Sequence, residues 1–425
     1  MTSHEQRGGF VMLFLQRFQS LVPKHDSPCA FSKTQGLFDA RKNEMKKLHK
    51  ILSLFANIGV AEALLDEKFF VVSVANELIK RRADLYQKIY PKTKMICGDI
   101  TNSNVYENVI KESKKAGVDI ILATPPCQGM STVGQQIDDD IRNYLTLPVI
   151  HAIKNLNPKY VVIENVPNFV NTTIMFNGSR QLLIDIIQSE LQHQYNISIN
   201  IVNTADFGVP QSRERMIILM SRCDLDTAWG IPQKEPKQST MEEAIGWIPA
   251  IDPFVKDLSP EEFKRLFPLF EIRKEKALSI SQWNIPPIHV YRQVKAMQYT
   301  PTGKSAFDNL PEHKPHKEDG SLVKGYHNTY SRQRWDKPAF TVTMDNRKIS
   351  SQGNVHPGRF MGKDEKGEDV YSDARTLTLY ELMRIMSLPD NWPLPKNVNE
   401  AFVRRIIGEG IPPLFVKKLF ENIQE

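Results

Sequence analysis

Between Leu48 and Arg222 the chain alternates short apolar runs with longer amphipathic stretches. HKILSLF, FFVVSVAN, KMICGD, VDIILA, KYVVIEN and ERMIILMS are near-continuous apolar runs, the pattern of strands buried on both faces. Between them, IGVAEALLDE, ELIKRRADLYQKIY, NYLTLPVIHAIKNL and RQLLIDIIQSELQHQ carry helical spacing. Strand and helix alternating at this interval predict an α/β fold, a doubly wound and mostly parallel sheet with helices on both faces.

Beyond Arg222 the texture changes. Residues 223 to 335 are rich in Pro, Lys, Glu and His, with weak periodicity. RLFPLFEIRKEKALSISQW predicts a helix, and PAFTVTMDNRKISS a strand and turn. RTLTLYELMRIMSLP returns to helical spacing, with Thr378 as N-cap and Glu381 three residues on, a capping-box pattern. The paired prolines of GIPPLFVKKLFENI suit a helix start. The expected organisation is an extension over 1–44, a first domain over 45–222, a second, smaller domain over 223–400, and a C-terminal helix over 401–425 that returns to the first. Met45 reads as a native start.

Bulk properties narrow the function without naming it. At 425 residues, 41% hydrophobic and 24% charged, the chain can build full globular cores. A net charge of +6 permits a polyanionic partner. The apolar part of GFVMLFLQRF, near the N-terminus, is too short to span a bilayer, so no membrane association is expected. The four cysteines lie in no CxxC pair or Cys/His cluster, and no metal site is expected.

The candidate chemistry sits where strands stop. VDIILA runs into TPPCQGMS, so Cys127 stands in a proline-restrained loop at a strand end, where open parallel sheets carry out chemistry. A thiol held there is a candidate nucleophile, although an isolated cysteine is more often a small buried residue. Glu164 ends KYVVIEN and could exchange protons at the same mouth; acids at strand ends are also common on plain surfaces. Gln211, Arg213 and Arg215 alternate with period 2, which would point both arginines to one side and suit a phosphate or carboxylate; the bland alternative is a solvated basic edge. The first strand leads into a turn containing Gly59 and then IGVAEALLDE, a strand–turn–helix of the kind that binds nucleotide-like cofactors. Glu77 ends the next strand, close to 20 residues after that turn, where an acid commonly holds ribose hydroxyls. Asp99 stands at the rim after the third.

Together and in this order, FANIG, NEL, GDI, PPCQGMS, ENVPNF, PQSRERM, RTLTLYELMRIMSLP and GEGIPPL make the chain resemble the C5-cytosine DNA methyltransferases. The likeness covers about 48–222 and 336–425. It implies a Rossmann-like methyltransferase domain with a target-recognition domain, S-adenosylmethionine as cofactor (leaving as S-adenosylhomocysteine), and double-stranded DNA as partner. It implies Cys127 as nucleophile, Glu164 as the group that contacts and protonates the cytosine ring, and Arg213 and Arg215 as positioning groups. Cofactor contacts fall on Phe55, Ala56, Asn57, Ile58, Gly59, Glu77, Leu78, Asp99, Ile100, Pro126, Leu145 and Glu409. DNA contacts fall on Gln128, Ser131 and Gln211, with Arg332 and Arg334 as candidates in the recognition region.

The chain departs from the family pattern at Ser53, where an acid is usual, at Asn57 and Val60, where glycines are usual, and at Glu409, where asparagine is usual. Asn57 can keep a left-handed turn. The setting expected is a bacterial restriction–modification system, with a monomeric enzyme and a cognate endonuclease acting on the same site. A tRNA methyltransferase of the same fold is the near rival; its CFT signature is absent, and Cys223 is followed by Asp224 and Leu225. A catalytically dead paralogue should lack Cys127, Glu164 or Arg213, and a nicotinamide dehydrogenase should carry a fuller glycine fingerprint.

Overall fold

The computed structural model describes residues 47–126 and 140–423. They divide into two compact units. The first is built from 47–202, 214–232 and 417–423, the second from 203–213 and 233–416.

The first unit holds a seven-stranded sheet of order β3-β2-β1-β4-β5-β9-β8. Its strands are β1 (His49–Leu54), β2 (Phe70–Glu77), β3 (Lys94–Cys97), β4 (Ile120–Ala123), β5 (Tyr160–Asn165), β8 (Tyr195–Asn203) and β9 (Glu214–Arg222), with β6 (Thr173–Phe176) and β7 (Ser179–Leu182) forming a separate hairpin. β1 pairs in parallel with both β2 and β4, β2 with β3, and β4 with β5, whereas β9 runs antiparallel to β5. The continuous apolar runs have the expected cause: every residue of β4 and β5 is buried. Leu52 and Leu54 pack with Ile121, Ala123, Val161 and Ile163 in one core that also takes Val149, Ile153, Ile186 and Ile187 from two helices. Ala56 and Ala75 pack with Tyr86 in a second, smaller one. From β1 the chain steps outward to β3, then returns to β1's other side as β4. The gap between β1 and β4 is thus the topological switch point, where ligands of open α/β sheets bind.

Several elements differ from the pattern-based expectation. IGVAEALLDE is not a helix; residues 57–64 form successive turns, with Ala63 N–H on Val60 O and Leu65 N–H on Glu62 O. Phe55, Asn57 and Gly59 all have positive φ (59°, 54° and 80°), and alternating left-handed residues cannot nucleate a right-handed helix. A helix that the polar pattern concealed spans Ser103–Ala116, capped by the Asn102 side chain and ended by left-handed Gly117. The β6–β7 hairpin takes the start of RQLLIDIIQSELQHQ, so its helix begins at Leu183.

The second unit is irregular. Its longest helices are Phe270–Ile280 and Glu400–Glu409, and PAFTVTMDNRKISS contributes a single bridge, Ala339 to Gln211, rather than a strand. Buried ion pairs join Arg375 to Asp373 (2.7 Å) and to Glu381 (2.8 Å). The capping box is present: Glu381 N–H donates to Thr378 Oγ1 (3.0 Å), and Thr378 N–H donates to Glu381 Oε2 (2.7 Å). Residues 203–213 and 401–416 fall in the second unit, and 223–232 in the first. In the first unit the C-terminal stretch is tied in by Trp229, whose Nε1–H donates to Leu419 O (2.7 Å), and by Phe420, edge-on to Phe70 and Trp229.

Candidate active site

The carboxyl ends of β1, β2, β3, β4 and β5 carry the candidate residues of the first unit. After β1, Phe55 turns the chain sharply, a conformation costly for a residue with a Cβ. Two bonds hold it: Ala56 N–H donates to Asn76 O (3.0 Å), and Thr124 Oγ1 donates to Phe55 O (3.2 Å). Thr124 N–H also donates to Leu54 O (3.2 Å), so the loop leaving β4 is pinned to the turn leaving β1. Asn57 takes the left-handed conformation, and its N–H donates to Glu77 Oε2 (3.0 Å). Gly59 admits no side chain, because a Cβ there would sit 2.1 Å from the Tyr90 ring and 2.7 Å from Glu62 Oε2. Val60, by contrast, has an ordinary φ and is buried, so a side chain is accommodated where the family pattern has glycine.

Glu77 is buried, and its other oxygen accepts from Ile79 N–H (2.8 Å). The acid after β2 therefore braces the turn with both oxygens. Leu78 beside it is 57% exposed, an apolar side chain held at the rim. After β3, Asp99 Oδ1 accepts from Thr101 N–H (2.9 Å) and Thr101 Oγ1 (2.7 Å). Ile100 is buried in the core. Leu145 is partly buried against the same core. A half-buried aromatic ring, two acids and an exposed leucine fit a purine riboside: an apolar face, acceptors for a diol, and an edge for hydrogen bonding.

After β4, Pro125 is buried and Pro126 half-buried. Cys127, Gln128 and Ser131 lie outside the described residues. Asn165 Nδ2–H donates to Pro125 O (3.1 Å), which fixes the backbone two residues before Cys127. Glu164, the penultimate residue of β5, has 10% of its side chain exposed, and Arg215 Nε donates to its Oε1 at 2.7 Å. This pair lies within the first unit and joins two residues that the sequence singled out separately.

The other candidates go elsewhere. Arg213 does not share Arg215's setting: it is buried in the second unit, where its guanidinium donates to Val342 O and Gly408 O (3.0 Å each). Gln211 is also buried there, with Oε1 on Val342 N–H and Nε2 on Met386 Sδ. Arg332 is 1% exposed, and its guanidinium donates to Met297 O, His356 O and Asp373 O. It is part of that unit's interior and presents no edge to a base. Arg334 is exposed and paired with Asp336 (2.7 Å). Glu409 ends the helix Glu400–Glu409 in the second unit. Residues that sequence reasoning passed over are Thr124 and Asn165, both inside motifs it quoted, and Glu62, for which no sequence signal existed. Among the described residues Glu312, His313 and Glu368 also approach one another, with His313 Nε2 2.8 Å from Glu368 Oε2.

Comparison with known proteins identifies the family. The family model of the C-5 cytosine-specific DNA methylases matches residues 49–425. The Type II methyltransferase M1.HgaI of Avibacterium volantium is 42% identical over 384 residues, 89% of this chain and 99% of that protein. The Type II methyltransferase M.NgoPII of Neisseria gonorrhoeae is 26% identical over 85% of this chain and 92% of its own. Among solved structures, a DNA modification methyltransferase encoded within an E. coli prophage superposes with a TM-score of 0.56 at 17% identity, covering 88% of this chain and 98% of that one. Spodoptera frugiperda DNMT2 gives 0.53 at 17% identity, covering 88% and 99%. These likenesses support the Rossmann-like methyltransferase fold. No helix among the described residues is long and apolar enough to cross a membrane. The chain belongs to the C-5 cytosine-specific DNA methylase family and is a DNA cytosine-5 methyltransferase.

Proposed function

We propose that this enzyme moves a methyl group from S-adenosylmethionine to C5 of a cytosine flipped out of double-stranded DNA, through an adduct between Cys127 and C6. The observation that carries the reading is the Glu164–Arg215 pair at the end of β5, the strand beside the one that leads to Cys127. Cytosine C5 is a poor nucleophile. Addition of the Cys127 thiolate at C6 makes a bond at sulfur and pushes the C5–C6 electron pair toward C5, with charge spreading to N3. Arg215 holds Oε1 of Glu164, which leaves Oε2 for the N3 edge of the ring; protonation or hydrogen bonding there stabilises the adduct. The bound cofactor supplies an electrophilic methyl group. After C5 is methylated, loss of its proton and departure of the thiolate restore the ring's double bond and the free enzyme. The target atoms are inaccessible inside the duplex, which is why the base must leave the stack.

In this reading the turn 55–59 with Glu77, Leu78, Asp99, Ile100, Pro126 and Leu145 holds the cofactor, while Gln128 and Ser131 contact DNA. Arg213 and Gln211 act as positioning residues through the Val342 and Gly408 backbone. The restriction–modification setting, with a cognate endonuclease sharing the site, rests on relatives named Type II methyltransferases. Transfer of labelled methyl to mixed plasmid DNA and to total tRNA tests the reading. Label in DNA, lost in Cys127→Ala, supports it; label in tRNA alone refutes the DNA substrate.

A further inference from the structure

Under the turn 55–59 lies a carboxyl group that the proposed chemistry does not use. Glu62 is 5% exposed, and neither of its oxygens has a hydrogen-bond partner among the described residues. It packs where a side chain on Gly59 would otherwise be, with Oε2 2.7 Å from that glycine's missing Cβ. The groups facing it are Ser53 from β1, Tyr86 from the helix Lys80–Ile89, and Tyr90 just beyond that helix. The hydroxyls of Ser53 and Tyr86 approach it without completing a bond, and none of the three is charged near neutrality. Tyr90 completes the wedge, its hydroxyl donating to Gly59 O at 2.5 Å. A charged carboxylate cannot remain in such a place; it must either keep its proton or draw in water. Burial accordingly pushes the Glu62 carboxyl up to about 7.

We propose that Glu62 is a positioning residue of the turn 55–59: its neutral carboxyl keeps the turn packed, and its ionisation hydrates the pocket and loosens the turn. The effect on cofactor rests on the reading that this turn holds cofactor. Binding then takes up a proton, and affinity falls as the solution turns alkaline. Hydration of the wedge displaces Gly59, whose carbonyl and absent side chain are both committed to the Glu62–Tyr90 contact, and so shifts Phe55 and Asn57 on the same turn.

Two measurements on the full-length protein separate the proposal from the reading it rests on. The first is amide hydrogen exchange at Ala56, Asn57 and Gly59 in unliganded protein from pH 6 to 9, corrected for intrinsic rates. Wild type is expected to lose protection at least tenfold above pH 7, and Glu62→Gln to keep it throughout. Equal profiles in the two proteins overturn the proposal. The second is titration calorimetry with S-adenosylhomocysteine over the same range. Wild type should weaken about 25-fold between pH 6.5 and 8.5, with proton uptake on binding rising from about a quarter of a proton to close to one across that range, against a flat profile and no Glu62-linked uptake in the variant. The exchange difference without any S-adenosylhomocysteine binding upholds Glu62 as the prop of the turn and refutes the cofactor assignment instead.

Discussion

Arg215 and Arg213 stand two residues apart and share a motif, yet their guanidiniums meet different chemistry. Arg215 sits on the Glu164 carboxylate, whereas Arg213 is spent on two backbone carbonyls. Replacing Glu164 by Gln keeps the shape and removes the carboxyl group to which the proposed mechanism assigns proton exchange. Methyl transfer to DNA should fall by roughly 10²–10⁴-fold with little change in melting, as measured by labelled transfer under single-turnover conditions. Arg332 makes the opposite case. Its three carbonyl partners are buried, so Arg332→Met should cost about 3 kcal/mol or more in urea unfolding. DNA affinity of the folded variant should be unchanged; a selective loss of DNA binding without loss of stability would restore Arg332 as a reader of bases. Glu62 supplies a pH dependence with a definite sign. Its carboxyl titrates near 4.5 when unfolded and about 7 when folded. The folded state therefore keeps a proton that the unfolded chain gives up, and the associated stability is complete below pH 4.5 and lost as pH rises through 7. The window is worth about 3 kcal/mol. Denaturation of wild type against Glu62→Gln between pH 4.5 and 8 should show a gap that grows with pH in the variant's favour.

At the scale of elements, the site is a set of strand ends held together by a few backbone-directed bonds. Thr124 ties the loop after β4 to the turn after β1, and Asn165 ties β5 to Pro125. Thr124→Val removes one such bond at constant volume and leaves the Phe55 carbonyl unpaired. It should weaken S-adenosylhomocysteine binding by about fivefold to tenfold, the equivalent of ~1 kcal/mol, which calorimetry would detect. In the first unit β1, β4, β5 and β9 were legible because most of their residues are buried, and burial writes itself as unbroken apolar runs; β8, whose residues are mostly half-buried, was not read. The helix Ser103–Ala116 was not, because only Tyr106, Val109, Ile110 and Ser113 of it are buried and the remainder is polar. The helix expected after β1 failed for the reverse reason: apolar residues recur at plausible spacing, but left-handed Asn57 and Gly59 set the backbone. The Thr378–Glu381 capping box, a purely local device, was readable and is present.

For the molecule as a whole, sequence order was enough to find the candidate chemistry because this family strings its motifs along successive strand ends. It was not enough for the second unit. There, beside an apolar cluster around Val294 and Met297, buried guanidiniums donate to carbonyls, as at Arg332, and to carboxylates, as from Arg375 to Glu381, and such contacts leave no period in the sequence. Charged residues that look available in the sequence are for that reason often interior. The overall +6 charge still predicts an electrostatic component to DNA binding. If six phosphates are contacted, affinity for non-cognate duplex should fall about 10³-fold between 50 and 200 mM salt, a slope that filter binding can measure.

If the Cys127 thiolate adds to cytosine, the adduct can be trapped. The most direct measurement replaces cytosine by 5-fluorocytosine in DNA containing the enzyme's target, incubates it with the protein and S-adenosylmethionine, and maps the cross-linked peptide by mass spectrometry. Fluorine at C5 cannot leave as a proton does, so the adduct should persist. A denaturation-resistant complex joined through Cys127, and absent in Cys127→Ala, is the expected result. Methylation of ordinary DNA without any trapped complex, or a complex joined through another residue, would contradict it.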